Sequence, residues 1–192
     1  MDQPDLNKIL SIPAAVAARR LLGCELVREI DGKILSGKIV ETEAYHQADV
    51  ASHSYSGMTP RTKVMFGPAG FLYVYFTYGM HYCCNIVTGA DGEGSAVLIR
   101  ALEPTDGRVE MSLRRNGLDG QALTNGPAKL CQALGIDKKL NGHNLKRQPL
   151  QLIINDKLND NEIVKSTRIG ISRARDAELR FYIKNNPYVS RT

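Results

Sequence analysis

The stretch Cys24–Tyr45, CELVREIDGKILSGKIVETEAY, decides what kind of fold this chain can adopt. Two apolar-rich runs flank Asp31–Gly32, a dipeptide suited to a two-residue turn because both central positions of that turn need positive φ. The pattern predicts two antiparallel strands. In the second, alternation over Lys38–Tyr45 puts Val40, Thr42 and Ala44 on one face and Ile39, Glu41, Glu43 and Tyr45 on the other. Two carboxylates then share a face. Neighbouring carboxylates repel, so a chain accepts the pair only on a solvated surface or where the proton affinity is put to use.

Outward from this hairpin, Ala14–Leu22 (AAVAARRLL) reads as a helix ended by Gly23. Phe71–Phe76 and Gly94–Leu102 (GSAVLIRAL) read as strands, with Leu150–Ile154 and Arg180–Ile183 as shorter ones. Asp106–Asn116 and Gly126–Leu134 read as helices, the latter with Pro127 in its first turn and Gly135 closing it. The chain has no internal repeat, low-complexity segment or linker. The expected fold is α+β, mostly antiparallel, in one domain over residues 1–192.

The 192 residues, 43% hydrophobic, are enough for a proper core and unlike a disordered or fibrous protein. The apolar runs Ile12–Ala18 and Phe71–Phe76 stop well short of the roughly 20 residues of a membrane span. The start, MDQPDLNKIL, has acids where a secretory signal carries bases, so a soluble, unexported protein is expected. Cys24, Cys83, Cys84 and Cys131 show no C-x-x-C spacing or zinc-type histidine pattern and read as reduced, buried thiols. Of the +5 net charge, Met1–Arg100 holds 9 Lys and Arg against 10 Asp and Glu, and Ala101–Thr192 holds 16 against 10. Clusters at Arg114–Arg115, Lys138–Lys139, Lys146–Arg147 and Arg168/Arg173/Arg175 would suit a phosphate backbone, although ordinary enzymes carry similar excesses.

Four of the eight tyrosines, Tyr73, Tyr75, Tyr78 and Tyr82, fall within FLYVYFTYGMHYCCN, and there is no Trp. On a strand, Tyr73 and Tyr75 lie opposite Leu72, Val74 and Phe76. The core is expected to take the second set, leaving the tyrosines to line a cavity, a partner surface or a sheet edge. Gly79 suggests a turn that projects Tyr78 outward. His53 sits in a polar loop, where a plain surface role is the alternative to a functional one. A metal site would recruit Glu41, Glu43, His46 and His53, but no H-x-x-x-H or H-E-x-x-H spacing fixes its geometry. Arg100 lies inside the apolar AVLIRALEP and needs a partner, for which Glu41 or Glu43 is the candidate, in a structural or a catalytic pair. Together these residues suit an enzyme that stacks an aromatic ring while a carboxylate handles water.

The segments VETEAY, ASHSYSGMTPRTKVMFGPAGFLYVYFTYGMHYCCN, VLIRALEP, TNGPAKLCQALGI and RIGISRARDAELRFYIKNNPYVS occur in this order. They closely resemble the alkyladenine (3-methylpurine) DNA glycosylase family, and the resemblance runs from Leu21 to Ser190. It implies a single mixed domain on a curved antiparallel sheet, without a helix-hairpin-helix. The implied activity is hydrolysis of the N-glycosidic bond of damaged purines in duplex DNA, the start of base excision repair. By the resemblance, Glu43 is the general base for the water that attacks C1′, Arg100 helps hold that water, and Glu41 is a supporting acid or structural. No lysine matches a Schiff-base position, so the implied enzyme is monofunctional and without lyase activity. Tyr45, His53 and Tyr75 match the residues that sandwich the extruded base, and Tyr78 the one that fills its place in the minor groove. Asn85 matches the residue at the pocket floor that crowds the 2-amino group of guanine, and Leu98 lies along the pocket. An alkylated purine is cationic, so tyrosine faces attract it by cation–π as well as by stacking. No metal or cofactor is implied. The partner is double-stranded DNA with damaged purines, met by a monomer in the bacterial cytoplasm at the nucleoid, or in a eukaryotic nucleus. The long N-terminal extension of animal members is missing, which points to a bacterial or minimal form. A non-catalytic damaged-DNA-binding module and a metal-dependent nuclease are the rival readings.

Overall fold

The computed structural model describes residues 5–190. Met1–Pro4, part of the acid-bearing start read above, lie outside them. The chain opens with helices α1 (Leu6–Leu10) and α2 (Ala14–Leu21), then strands β1 (Glu25–Ile30), β2 (Lys33–His46), β3 (Leu72–Thr77), β4 (His81–Val87) and β5 (Ser95–Asp106). Helices α3 (Arg108–Arg114) and α4 (Pro127–Ala133) precede strands β6 (Leu150–Ile153), β7 (Ile163–Ser166) and β8 (Arg180–Ile183). The eight strands form one curved sheet in the order β3-β4-β5-β2-β1-β6, with β8 beside β2 and β7 beside β8. Every pairing is antiparallel, so the α+β expectation holds.

The β1–β2 turn is the one the sequence predicts: Asp31 and Gly32 have φ of 52° and 71°. Strand β2 is the spine. Along one edge it pairs with β5; along the other its first half pairs with β1 and Glu41–Glu43 pair with β8. Register shifts at Ser36/Gly37 and on both sides of Glu41 are bulges, which add twist and turn the strand from one neighbour to the next. Val40–Ala44 are consequently buried on both faces. On one face α2 offers Ala14, Ala17, Ala18 and Leu21 at helical spacing, and their small side chains let it approach until the Thr42 hydroxyl donates to the Ala18 carbonyl at 3.0 Å. The other face holds Glu41 and Glu43, each 0% exposed, so the solvated alternative for the carboxylate pair is ruled out.

Several elements depart from the sequence reading. Strand β4 went unanticipated because Cys83–Val87 are buried on both faces, which erases the alternation that marks a half-buried strand. Helix α1 and strand β7, of 5 and 4 residues, are too short to show a period. Helix α3 begins only at Arg108, since β5 claims Asp106 and Gly107 caps the helix with φ of 72°. The division of β3 into two faces holds for Leu72 and Val74, which enter the main core, and for Tyr73 and Tyr75, which line a cleft on the other side; Phe76 is the exception. Tyr73 is 1% exposed and packs in a small second core with Met65, Phe66, Val87 and Ala96, whereas Phe76 is 51% exposed and leans on the Tyr82 ring at 5.0 Å. Phe76 lies near the hairpin tip, which projects past the elements that cover the sheet.

All four cysteines are buried and unpaired, as expected. The basic clusters are partly engaged within the chain: Arg168 is buried, and at the surface Arg114 bridges Asp31 and Glu110 and Lys146 pairs with Asp5. Among the described residues, no helix is long and apolar enough to cross a membrane.

Candidate active site

One face of the sheet forms the floor of a cleft of about 640 Å³. Register places Glu43 opposite Leu98, Leu98 opposite Asn85 and Asn85 opposite Tyr73, a row across four strands. Directly opposed residues point to the same side, so this row and its neighbours two positions along, Tyr45, Arg100 and the Tyr75–Cys83 pair, present one continuous surface. All eight residues picked out from the sequence, Glu43, Arg100, Tyr45, His53, Tyr75, Asn85, Leu98 and Tyr78, line this cleft.

Glu43 is held from three directions. Its Oε1 accepts the Ile169 amide at 2.8 Å and lies 3.2 Å from Arg100 Nη1; its Oε2 accepts the Tyr45 hydroxyl at 2.8 Å. Arg100 also donates from Nε to Glu41 at 3.1 Å. Burial alone would lower the Arg100 pKa, but Glu43 and Glu41 more than reverse this, so the guanidinium stays charged. Glu41 lies deeper, accepting from Arg180 Nη1 at 2.8 Å, the Ser190 amide at 2.7 Å and the Ser190 hydroxyl at 3.0 Å. The two carboxylates are thus tied together through Arg100. Burial first, and then the charge of Glu43, push the Tyr45 phenol well above its ordinary value, so it remains a neutral donor.

The aromatic wall is built from a loop and a strand. Ser54 donates to the Gly94 carbonyl at 2.8 Å and exchanges a 2.8 Å bond with Ser52, which fixes the loop carrying His53. A Cβ on Gly94 would sit 2.6 Å from the Phe66 ring and 2.7 Å from Ser54 Cβ, so only glycine permits this approach. His53 meets Tyr75 edge-on with ring centroids 4.6 Å apart, and its Nδ1 lies 3.1 Å from the Tyr73 hydroxyl. Partial desolvation against the tyrosines, with the Arg61 charge adding to it, lowers the imidazole pKa, which favours the neutral ring at pH 7. Burial also raises Tyr75 and pushes the Cys83 thiol up to about 11, so both face the cleft uncharged. At the floor, the Asn85 amide donates to the Tyr73 carbonyl at 3.2 Å. Tyr78 stands at the rim, 85% exposed, in a turn where it and Gly79 have φ of 51° and 68°.

Some contributors were not legible beforehand. Ile169 acts through its main-chain N–H, which no side-chain pattern reveals. Arg168, read as part of a phosphate-facing cluster, is instead buried against Tyr45. The residues a metal site would need are dispersed: His46 bonds Glu93 at 2.7 Å, His53 faces Tyr73, and the glutamates hold arginines. Among the described residues no three His, Cys, Asp or Glu converge.

A buried carboxylate and guanidinium lie beneath uncharged aromatic walls, an arrangement with the means to stack a flat ring and to take a proton from water beside it. Comparison with known proteins points the same way. The family model described as Methylpurine-DNA glycosylase (MPG) matches residues 8–187. A protein of Carboxydothermus hydrogenoformans named "Putative 3-methyladenine DNA glycosylase" is 55% identical over 177 residues, 92% of this chain and 93% of that protein. Proteins of the same name in Francisella tularensis and Methanoculleus marisnigri are 50% and 48% identical, covering 97% and 95% of this chain and 98% and 100% of theirs. With matches of this extent over the strands and loops that build the cleft, the chain belongs to the methylpurine-DNA glycosylase family.

Proposed function

We propose that the chain is a monofunctional DNA glycosylase, acting as one domain and as a monomer. It takes an alkylated or deaminated purine out of duplex DNA and hydrolyses the bond between the base and C1′. The observation that carries this reading is the Glu43 carboxylate at the cleft floor, bound by Arg100, Tyr45 and the Ile169 amide. A water beside Glu43 loses its proton to the carboxylate as its oxygen bonds to C1′. The electrons of the C1′–N bond leave with the purine. A cationic alkylpurine departs neutral, and a neutral purine takes up a proton from solvent as it goes. Arg100 holds the water and stays charged through the step. Tyr45, His53 and Tyr75 enclose the flipped base, Leu98 borders it, and Asn85 crowds the 2-amino group of guanine. Among the described residues no lysine lines the cleft, in keeping with hydrolysis rather than a Schiff-base lyase step.

The test is single-turnover incubation with duplexes carrying ethenoadenine or hypoxanthine. The expected product is an abasic site that breaks only after alkali, at a rate that EDTA leaves unchanged. Strand cuts without alkali that EDTA abolishes would instead favour the nuclease. Tight binding without abasic sites would favour a binding module.

Tyr78 provides a second test. If its side chain fills the gap left by the flipped nucleotide, it acts on extrusion and not on the chemical step, since an unfilled stack costs a few kcal/mol. Tyr78→Ala is expected to slow excision of paired lesions about tenfold or more and to matter far less for bulged ones. Because the residue is 85% exposed, its melting temperature should stay at the wild-type value. A uniform loss together with a lowered melting temperature would remove Tyr78 from the site.

A further inference from the structure

Arg168 stands behind the cleft wall, and no step above uses it. Its side chain is 0% exposed and its guanidinium carbon lies 4.7 Å from the centroid of the Tyr45 ring. Nη1 donates to the Ala44 carbonyl at 3.1 Å and to the Asp49 carboxylate. Nε and Nη2 are buried and, among the described residues, have no hydrogen-bond partner. Burying donors in that state is costly, and what faces this guanidinium is the electron-rich π face of Tyr45. Tyr45 lines the cleft and Arg168 does not. A buried cation therefore sits over a ring that itself lines the cleft.

That placement changes what the wall attracts. A cation against one face of a phenol draws π density towards itself and weakens the pull of the opposite face on a second cation. Two positive charges on either side of one buried ring also repel through a medium that screens them poorly. Stacking of a neutral ring by dispersion and burial is untouched. Tyr75 differs, because Arg61, 5.8 Å from its ring centroid, is exposed and screened by water.

Building on the glycosylase reading, we propose that Arg168 is a specificity-determining residue. From behind Tyr45 it narrows the pocket's preference for cationic alkylpurines and brings neutral purines such as hypoxanthine onto closer terms. Asp49 sets the strength of the effect, since its carboxylate offsets part of the guanidinium charge.

The experiment compares single-turnover excision of 7-methylguanine, a cation, with that of hypoxanthine, which is neutral, in one duplex context. Changes in their rate ratio between variants cancel the fixed contribution of Asn85. Arg168→Met keeps bulk and removes charge, and is expected to raise the ratio of 7-methylguanine to hypoxanthine about three- to tenfold. Arg168→Lys keeps the charge and should stay near the wild-type ratio. Asp49→Asn leaves the guanidinium uncompensated and should lower the ratio. A merely structural role predicts equal losses on both lesions; that result, or Arg168→Met and Asp49→Asn moving the ratio in the same direction, overturns the proposal. Should Arg168→Met not fold, Asp49→Asn decides alone: a lowered ratio supports the role and an unchanged or raised one ends it. If wild-type protein excises neither lesion, the glycosylase reading itself has failed, and this proposal with it.

Discussion

Glu43→Gln is expected to lower single-turnover excision of hypoxanthine from duplex DNA by about 10²- to 10⁴-fold, the range that a positioned general base supplies. The amide has nearly the shape of the carboxylate. Its one oxygen can take the place of Oε1 and accept from the Ile169 amide, while its NH2 takes the place of Oε2 and donates to the Tyr45 oxygen once that hydroxyl turns; both contacts are 2.8 Å in the wild type, so the walls of the cleft keep their places. Arg100 retains Glu41 and is not left as an unpaired buried charge. Binding to lesion-bearing duplex should therefore survive while the rate collapses. Unchanged excision by a correctly folded Glu43→Gln protein would sink the assignment of the base.

Glu41→Gln should show the opposite balance, a large loss of stability with a smaller loss of rate per folded molecule. Glu41 is 0% exposed and is the shared acceptor for Arg100, Arg180 and both the amide and hydroxyl of Ser190. Taking one charge out of a buried network strands the others, which costs about 3–5 kcal/mol. For a chain of this length that corresponds to a fall in melting temperature of roughly 10 °C. The rate below that temperature should drop only as far as Arg100 shifts from its place on Glu43. A variant that melts with the wild type and yet loses activity as completely as Glu43→Gln would make Glu41 a second catalytic carboxylate.

The hairpin at Asp31–Gly32, the helix AAVAARRL, the start of α4 at Pro127 and the hydrophobic strand of β5 were legible because each is specified by its own residues: turn φ values, helical spacing, a missing N–H, an apolar run. The shared face of Glu41 and Glu43 was legible too, since alternation survives the bulges around Glu41. The sequence left open whether that face is wet or dry, because burial on both sides of a strand depends on what packs there. Here that is α2 on one side and Arg100, Arg180 and the Ser190 segment on the other. Phe76 lost its expected place in the core for the same reason.

By itself, then, the sequence determined the sheet's central hairpin, the α+β class and the residue types from which the cleft is made, since these follow from periods and turns a few residues long. Only the tertiary structure decided that Arg100 joins both glutamates, that Ile169 donates its amide to Glu43 and that Arg168 backs Tyr45. Those contacts span 57 to 126 positions along the chain, so no local pattern encodes them. They exist because a bulged β2 changes neighbours midway and draws β5, β8 and the segment before β8 onto the same few residues.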